Sequence, residues 1–252
     1  MTTQRAPQRR GPRLFVEGLS ASVGGVQQLS REESHYIRDV LRLRPGEPLE
    51  LGDKASPKLF RAAVLALGDL VSVELLEELP NHGNAARPLS LLFALCKGDK
   101  NDLVCDWATE LGCQEIIFWQ SDRSIVRLRG KDDADAKLAR LVKIAQSAAQ
   151  QSKQPCPPSV AVTQSLQEAL ELLGSSPSSV RITCSLAEAA QPFEQLLPSG
   201  LSATVIAVGP EGDFTPAEEA QLLAAGFKQG TLGPTTLRSE LAAVTALCIA
   251  RR

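Results

Sequence analysis

One short stretch near the C-terminal end constrains the fold more than any other. The apolar residues 203–208 run into a Gly-Pro-Glu-Gly loop at residues 209–212, and a helix start follows at once. Thr215 can cap that helix, Pro216 suits its first position, and Glu218 completes a capping box. A strand, a tight glycine loop and a helix N-terminus together can present backbone N–H and C=O groups to a small ligand.

A second corner of the same kind lies at residues 232–238. It again places a Gly-Pro pair after a short predicted strand, and a helical pattern follows. Gly-Pro corners are often plain turns, so the spacing alone also fits two loops that bind nothing.

The order of apolar runs predicts an α/β domain from residue 89 onward. Alternating strands and helices are typical of a mostly parallel sheet covered on both faces. Gly112 is predicted to end the first helix. The predicted strands are residues 89–95, 115–119, 180–184, 203–208 and 229–232, and the predicted helices are residues 100–111, 135–151, 187–197, 216–225 and 239–249.

The N-terminal part has a different rhythm. One helical pattern covers residues 32–43, and short β-like runs separated by turn residues surround it, at residues 14–16, 48–51, 59–67 and 70–76. This pattern predicts a small β-barrel. The predicted organisation is therefore a barrel domain at residues 1–80, a linker at 81–88 and the α/β domain at 89–252.

Charge and composition exclude several classes of protein. The formal net charge is −2, but residues 1–44 carry eight arginines and four acids, which predicts a local basic face. Arg5, Arg9 and Arg10 fit a frayed tail equally well. No apolar stretch approaches the roughly 18 residues of a spanning helix, and no signal peptide is present, so we expect a cytoplasmic chain without membrane contact.

Motifs for metals and for common α/β enzymes are absent. The six cysteines form no Cys-x-x-Cys pair and the two histidines stand alone, so no metal site is expected and the thiols are predicted to be reduced. The Gly-x-Gly-x-x-Gly, P-loop and Gly-x-Ser-x-Gly signatures are also missing.

Several motifs nevertheless match a known family over almost the whole chain. The chain resembles the RsmE-type ribosomal RNA uracil-N3 methyltransferases, which are SPOUT (trefoil-knotted) methyltransferases. The matching motifs are His-Tyr-Ile-Arg at 35–38, Val-Leu-Arg-Leu-Arg-Pro-Gly at 40–46, Lys-Gly-Asp-Lys at 97–100, Ala-Thr-Glu-Leu-Gly at 108–112, Asp-Arg-Ser at 122–124, Gly-Pro-Glu-Gly-x-Phe-Thr at 209–215 and Leu-Gly-Pro-x-x-Leu-Arg-Ser-Glu at 232–240.

The resemblance implies a fold and an activity. The barrel would be a PUA-like RNA-binding domain, and the α/β domain would contain a trefoil knot around which two subunits form a homodimer. The cofactor would be S-adenosylmethionine. The product would be 3-methyluridine in the 16S ribosomal RNA of the small ribosomal subunit.

The resemblance also implies roles for individual residues. Arg238 would stabilise the charge that develops on the uracil, and Glu240 would orient Arg238 or accept the N3 proton, or merely complement the helix dipole. The predicted cofactor residues are Val208, Gly209, Pro210, Glu211, Gly212, Leu232, Gly233 and Leu237. The predicted RNA contacts are His35, Arg38, Arg42, Arg44, Lys97, Lys100 and Arg123. A surface salt bridge is the simpler role for Arg123, as helix capping is for Asp99.

Some positions depart from the family pattern. Asp213 stands where a second glycine is usual, and Thr235-Thr236 replaces an arginine followed by an aliphatic residue. Leu241 replaces a threonine, and Gln150 replaces an acid. Two alternatives therefore stay open: a non-catalytic RNA-binding protein with this fold, and a methyltransferase of this fold that acts on another RNA site.

Overall fold

The computed structural model describes residues 11–80, 87–174 and 179–251. The chain divides into two compact units, one of residues 1–83 with 149–157 and one of residues 84–148 with 158–252. The segment 149–157 thus groups with the N-terminal unit, which the sequence-based boundaries do not anticipate. The predicted linker, residues 81–88, lies almost entirely outside the described residues.

A five-stranded sheet forms the described part of the N-terminal unit. Its spatial order is β1-β3-β4-β5-β2, a half-barrel with β1 and β2 at the two edges. Buried and less buried side chains alternate along the first half of β5, as expected for a strand with one face on a core. The strands are β1 (Arg13–Val16), β2 (Val26–Gln28), β3 (Pro48–Asp53), β4 (Leu59–Leu67) and β5 (Val71–Glu78).

The predicted helix of this unit is shorter than expected and has two parts. Helix α1 spans Arg31–His35, where Ser30 and Glu33 form a capping box. A π-helical turn continues over Tyr36–Val40, and it ends before the predicted limit at residue 43. Arg42 then takes a left-handed backbone conformation with φ +54°. Left-handed geometry is unfavourable for a side chain of this size, so the segment after the turn is strained.

The second unit contains a seven-stranded sheet, counted over the described residues, in which every strand pair is parallel. This result confirms the predicted α/β class. The spatial order is β10-β12-β9-β11-β6-β7-β8. In chain order the elements are β6 (Leu89–Ala94), α2 (Lys100–Glu110), β7 (Glu115–Trp119), α3 (Lys131–Gln151), β8 (Ser159–Thr163), α4 (Leu166–Leu173), β9 (Val180–Cys184), β10 (Gln191–Pro192), α5 (Phe193–Leu196), β11 (Thr204–Val208), α6 (Pro216–Ala224), β12 (Phe227–Thr231) and α7 (Ser239–Ala250).

Two parts of this unit differ from the prediction. Strand β8 and helix α4 were not anticipated. The predicted helix at residues 187–197 is wrong for most of its length, because only Phe193–Leu196 is helical. Proline disfavours helical geometry in the residue before it, and Gln191 instead pairs in a parallel register with Gly230 of β12.

Two apolar cores cover the two faces of this sheet. On one face α2, α3 and α7 pack against strand residues such as Phe93, Phe118 and Ile206. On the other face α4 and α6 pack against residues such as Trp119 and Ala207. All five residues of β11 are buried, which explains its continuous apolar sequence. Gly112 has φ +81° after α2, as predicted for a helix-terminating glycine.

A buried ion pair joins the edge strand β1 to β3, and its arginine also bonds to the segment 149–157 within the same unit. Arg13 Nη2 lies 2.7 Å from Glu50 Oε2, and both side chains are almost fully buried. The same guanidinium donates a hydrogen bond to the carbonyl of Gln154. Lys153 precedes that residue with φ +60°, the left-handed conformation that commonly ends a helix.

No helix in the described parts of the chain combines the length and the apolar character that crossing a membrane requires.

Candidate functional site

A cavity of about 300 Å³ lies at the carboxyl ends of three neighbouring strands of the parallel sheet, β9, β11 and β12. Ligand crevices in α/β sheets form at this edge. The cavity brings together seven of the eight predicted cofactor residues, together with Lys100 and Arg238. Those seven are Val208, Gly209, Pro210, Glu211, Leu232, Gly233 and Leu237, and Gly212 does not line it.

The first glycine loop, residues 209–214, is a tight turn followed by a capped helix. The backbone N–H of Asp213 donates to the carbonyl of Pro210 at 3.0 Å. Asp213 has φ +59°, and its Oδ1 accepts the N–H of Phe214 at 2.8 Å. Thr215 and Glu218 form the predicted capping box of α6. Asp213 therefore shapes the turn, and the helix cap belongs to Thr215.

The second glycine loop, residues 232–238, combines apolar walls with unused backbone donors. Gly233 has φ +132°, a conformation that side chains rarely adopt, and Thr231 Oγ1 bonds to both its N–H and its carbonyl. Within the described structure no hydrogen bond uses the backbone N–H of Thr235, Thr236 or Leu237. The residues that carry these donors line the cavity together with Leu232.

A third wall of the cavity was missed by the sequence analysis. It consists of Cys184, Ser185 and Leu186 at the end of β9. Strand β9 lies between β11 and β12, so the end of β9 must lie beside both glycine loops. No sequence signal revealed this wall, because the strand order is a long-range property of the fold.

Lys100 holds two carboxylates at the side of the cavity. Its Nζ lies 3.2 Å from Glu211 Oε1 and 3.3 Å from Glu240 Oε2. The second contact is an ion pair without the alignment of a hydrogen bond. The Glu240 carboxylate therefore pairs with Lys100, and no contact with Arg238 is described.

Electrostatics keep this ion pair charged. Burial alone would lower the pKa of Lys100, but the carboxylates of Glu211 and Glu240 outweigh it and raise the pKa above its ordinary value of 10.5. Burial alone would raise the pKa of Glu211, but a hydrogen bond from its own backbone N–H and the Lys100 ammonium hold the pKa below the ordinary 4.5. One positive and two negative groups leave an excess of negative charge here.

Arg238 is the free cation of the site. It occupies the N-cap position of α7 without capping it, and it lines the cavity. Among the described residues its guanidinium has neither a hydrogen-bond partner nor an ion-pair partner. An unpaired guanidinium at the mouth of a cavity is available to an anionic or polarised group of a ligand.

Thiols at the site are protonated. Burial, followed by the charge of Glu211, raises the pKa of Cys96 to about 12. Burial also raises the pKa of Cys184 to about 12. A raised pKa disfavours the thiolate that a nucleophilic cysteine needs. All six cysteines are free, and the described residues contain no cluster of His, Cys, Asp or Glu suited to a metal ion.

The predicted RNA contacts are distributed over both units. Lys97 is exposed, and its backbone N–H lies 3.4 Å from Glu211 Oε1. Arg123 is exposed but hydrogen-bonds to backbone carbonyls of the first glycine loop. In the N-terminal unit His35 pairs with Asp39 at 2.6 Å, and Arg38 bonds to the carbonyl of Gly68. Arg42 and Arg44 are also exposed there.

The chain is similar to known proteins in both sequence and structure. A family model described as the RNA methyltransferase domain matches residues 84–251. The ribosomal RNA small subunit methyltransferase E of Bacillus subtilis is 31% identical, with 87% of each chain covered. The chain belongs to the RsmE-type ribosomal RNA methyltransferase family. The Mycobacterium tuberculosis protein of the same name is 28% identical over 93% of this chain and 89% of its own length.

The similarity to this family extends to three dimensions. A crystal structure of the Neisseria gonorrhoeae ribosomal RNA small subunit methyltransferase E, bound to S-adenosyl methionine, is 31% identical. It superposes with a TM-score of 0.81 and covers 94% of this chain and 95% of its own. The similarity therefore extends over nearly the whole length of both chains.

Proposed function

We propose that the protein transfers a methyl group from S-adenosylmethionine to N3 of a specific uridine in 16S ribosomal RNA. The observation that carries this proposal is the cavity between the two glycine loops, with the unpaired Arg238 at its mouth. Family membership supports the class of reaction. Ribosomal RNA as substrate agrees with the cytoplasmic location expected from the sequence.

The chemistry of the cavity fits this cofactor. An adenine ring needs flat apolar walls and directional polar partners at its edge. Val208, Leu232 and Leu237 offer the walls, and among the described residues the backbone N–H groups of Thr235, Thr236 and Leu237 are unused. Bound S-adenosylmethionine would supply an electrophilic methyl group on a positively charged sulfur. The excess negative charge of Glu211, Glu240 and Lys100 is suited to a cationic ligand.

Arg238 and Glu240 carry the proposed chemistry. Uracil N3 holds a proton in the neutral base, and its removal places negative charge on the flanking carbonyl oxygens. The unpaired guanidinium of Arg238 would stabilise that charge. Glu240 would accept the proton, since its Oε2 faces Lys100 Nζ at 3.3 Å without an aligned hydrogen bond that would occupy the oxygen.

RNA contact is proposed for both units. Arg38, Arg42 and Arg44 are exposed around a π-helical turn and a left-handed residue. Strained backbone often marks a functional segment, and arginine pairs well with phosphate. We propose that this N-terminal unit is the PUA-like RNA-binding domain implied by the sequence. In the second unit Lys97 is the better candidate, since Lys100 and Arg123 already have protein partners.

A knotted homodimer is the proposed assembly. Helix α7 is apolar apart from Ser239, Glu240 and Thr245, and Leu241 on it is 50% exposed. A groove between α2 and α7 is lined by Trp107, Leu111, Leu241 and Val244, with Glu110 and Glu240 beside them. Predominantly apolar helices are normally buried, which supports a second copy as the occupant. Chromatography with light scattering tests the dimer, and Leu241→Glu should give monomers.

The experiment for the activity uses labelled S-adenosylmethionine and small ribosomal subunits that lack the modification. Wild type should label the RNA, and nucleoside analysis should find 3-methyluridine. Arg238→Ala should abolish transfer and leave cofactor binding largely intact. Absence of label at enzyme concentrations above the substrate would refute the proposal.

A second candidate is a non-catalytic RNA-binding protein of the same family. Thr235 and Thr236 favour it, because they line the cavity where the family pattern has an arginine and an aliphatic residue. RNA binding without label transfer would identify this candidate. Label at another nucleotide or modified atom would instead indicate a different RNA site.

A further inference from the structure

The first glycine loop is held from outside the cavity by the end of β7 and the residues after it. Arg123 Nη1 donates to the carbonyl of Gly212 at 3.1 Å and to the carbonyl of Phe214 at 3.0 Å. These two carbonyls flank Asp213, whose backbone is left-handed. A backbone in that conformation persists when its surroundings determine it, and one guanidinium here holds the carbonyl just before Asp213 and the carbonyl of the residue after it.

A buried carboxylate makes a second link between the same segments. Glu218 is 5% exposed. Its Oε2 accepts the N–H of Thr215 at 2.7 Å in the capping box, and its Oε1 accepts the N–H of Asp122 at 2.9 Å. Hydrogen bonds to a charged acceptor are stronger than neutral ones. Glu218 therefore ties the start of α6 to the residue next to Arg123.

An aromatic contact completes the arrangement. Trp119, the last residue of β7, stacks on Phe214 with ring centroids 6.1 Å apart and an interplanar angle of 11°. A Cβ atom on Gly212 would lie 3.2 Å from the Cβ of Arg123, so the two backbones are in close contact. Residues 119–123 thus contact the loop at Gly212 and Phe214 and the start of α6 at Glu218.

Arg123 does not line the cavity, whereas Gly209, Pro210, Glu211 and Asp213 of the loop do. We propose that Arg123 and Glu218 are positioning residues, which hold the first glycine loop in the shape that binds the cofactor. This inference rests on the proposed function, because the ligand concerned is S-adenosylmethionine. In this proposal Arg123 positions the loop and does not contact RNA.

The test compares cofactor affinity with RNA affinity. Arg123→Met should weaken S-adenosylmethionine binding about tenfold by calorimetry, because two charge-assisted hydrogen bonds to the loop are lost. It should change the KM for RNA by less than about twofold. Arg129→Met is the matched control. It removes the same charge from the same connection, and the Arg129 guanidinium has no partner among the described residues.

Two more variants keep the proposal testable if Arg123→Met does not fold. Arg123→Lys retains one nitrogen with several protons and should recover most of the lost affinity. Glu218→Gln places an amide donor against one of two N–H groups and should weaken cofactor binding as Arg123→Met does.

A spectroscopic signal reports on the loop directly. The chain has two tryptophans, so a Trp107→Phe background leaves Trp119 alone against Phe214. Its emission without ligand should shift in Arg123→Met and Glu218→Gln, and it should stay at the wild-type value in Arg129→Met.

The outcomes separate this proposal from the proposed function. If Arg123→Met weakens RNA binding and leaves cofactor affinity equal to that of Arg129→Met, Arg123 is an RNA contact and the positioning role is wrong. Wild-type protein that binds no S-adenosylmethionine would instead overturn the proposed function itself.

Discussion

The ammonium of Lys100 lies 3.2 Å from the carboxylate of Glu211. Lys100 begins α2 after β6, and Glu211 belongs to the loop after β11, the strand that pairs with β6. The ion pair therefore joins the carboxyl ends of two adjacent parallel strands. Glu240 adds a second carboxylate to the same ammonium.

The first prediction concerns the charge at this position. Glu211→Gln removes the excess negative charge beside the cavity, so we expect about fivefold weaker binding of S-adenosylmethionine, or roughly 1 kcal/mol. Binding of the demethylated product, which is neutral at sulfur, should weaken less. Calorimetry with both ligands measures the difference, and Glu194→Gln on the exposed side of α5 is the control. Equal losses for both ligands would show that charge is not the cause.

The second prediction concerns pH. The folded-state pKa of Glu211 is lowered, so its stabilising contribution is present above pH 4.5 and is lost as the pH falls through the folded value. The folded-state pKa of Lys100 is raised, so its contribution is present below pH 10.5 and is lost as the pH rises through the folded value. Cofactor affinity should therefore be insensitive to this pair between these limits.

Lys100→Met tests that interpretation. Without the ammonium, the pKa of Glu211 should rise, and the acid loss of cofactor affinity should begin at a higher pH than in wild type. Binding titrations across the acid range would measure the shift. If the acid loss of cofactor affinity begins at the same pH as in wild type, Lys100 does not control the ionisation of Glu211.

The third prediction concerns Asp213. Asp213→Ala keeps a side chain in the left-handed conformation and loses the hydrogen bond to the N–H of Phe214, so it should cost about 1 kcal/mol of unfolding free energy. Asp213→Gly loses the same bond but relieves the backbone, so stability should stay within about 0.5 kcal/mol of wild type. Cofactor affinity should be retained in the glycine variant. A large affinity loss there would give the carboxylate a direct role in binding.

The fourth prediction concerns the buried ion pair of the N-terminal unit. Arg13→Met leaves the Glu50 carboxylate buried without its main partner and should destabilise this unit by about 3–5 kcal/mol. The double variant Arg13→Met, Glu50→Met should recover most of that loss. Both tryptophans belong to the second unit, so denaturant unfolding should show an early change in circular dichroism before the change in tryptophan emission. A single coincident transition at the wild-type midpoint would contradict the prediction.

Local sequence signals predicted the parts of the fold that local chemistry determines. The capping box of Thr215 and Glu218 and the turn at Gly112 were predicted correctly, because each depends on residues a few positions apart. The helix predicted at residues 187–197 is wrong for most of its length. The residue before Pro192 disfavours helical geometry, and its pairing with β12 outweighed a helical composition.

The glycine loops beside the cavity could be predicted from local sequence, but the contacts between distant segments could not. Both glycine loops were recognisable from local sequence patterns. The wall from Cys184 to Leu186 depends on the order of the strands in the sheet, which local patterns do not reveal. The partners of Arg123 and Glu240 were also missed, since the contact of Arg123 with Gly212 joins residues 89 positions apart. Charge type alone does not reveal which opposite group a side chain will meet.

The walls of the cavity have a consequence for the synthesis of the chain. Apart from Lys100, every residue that lines the cavity lies between positions 184 and 242. The cavity is therefore formed almost entirely by the last part of the chain to be synthesised. A growing chain can complete β6, β7 and β8 long before Leu237 and Arg238 leave the ribosome. A nonsense or frameshift product that ends near residue 231 would contain every strand of this sheet but would lack both the second glycine loop and α7, which covers one face of the sheet.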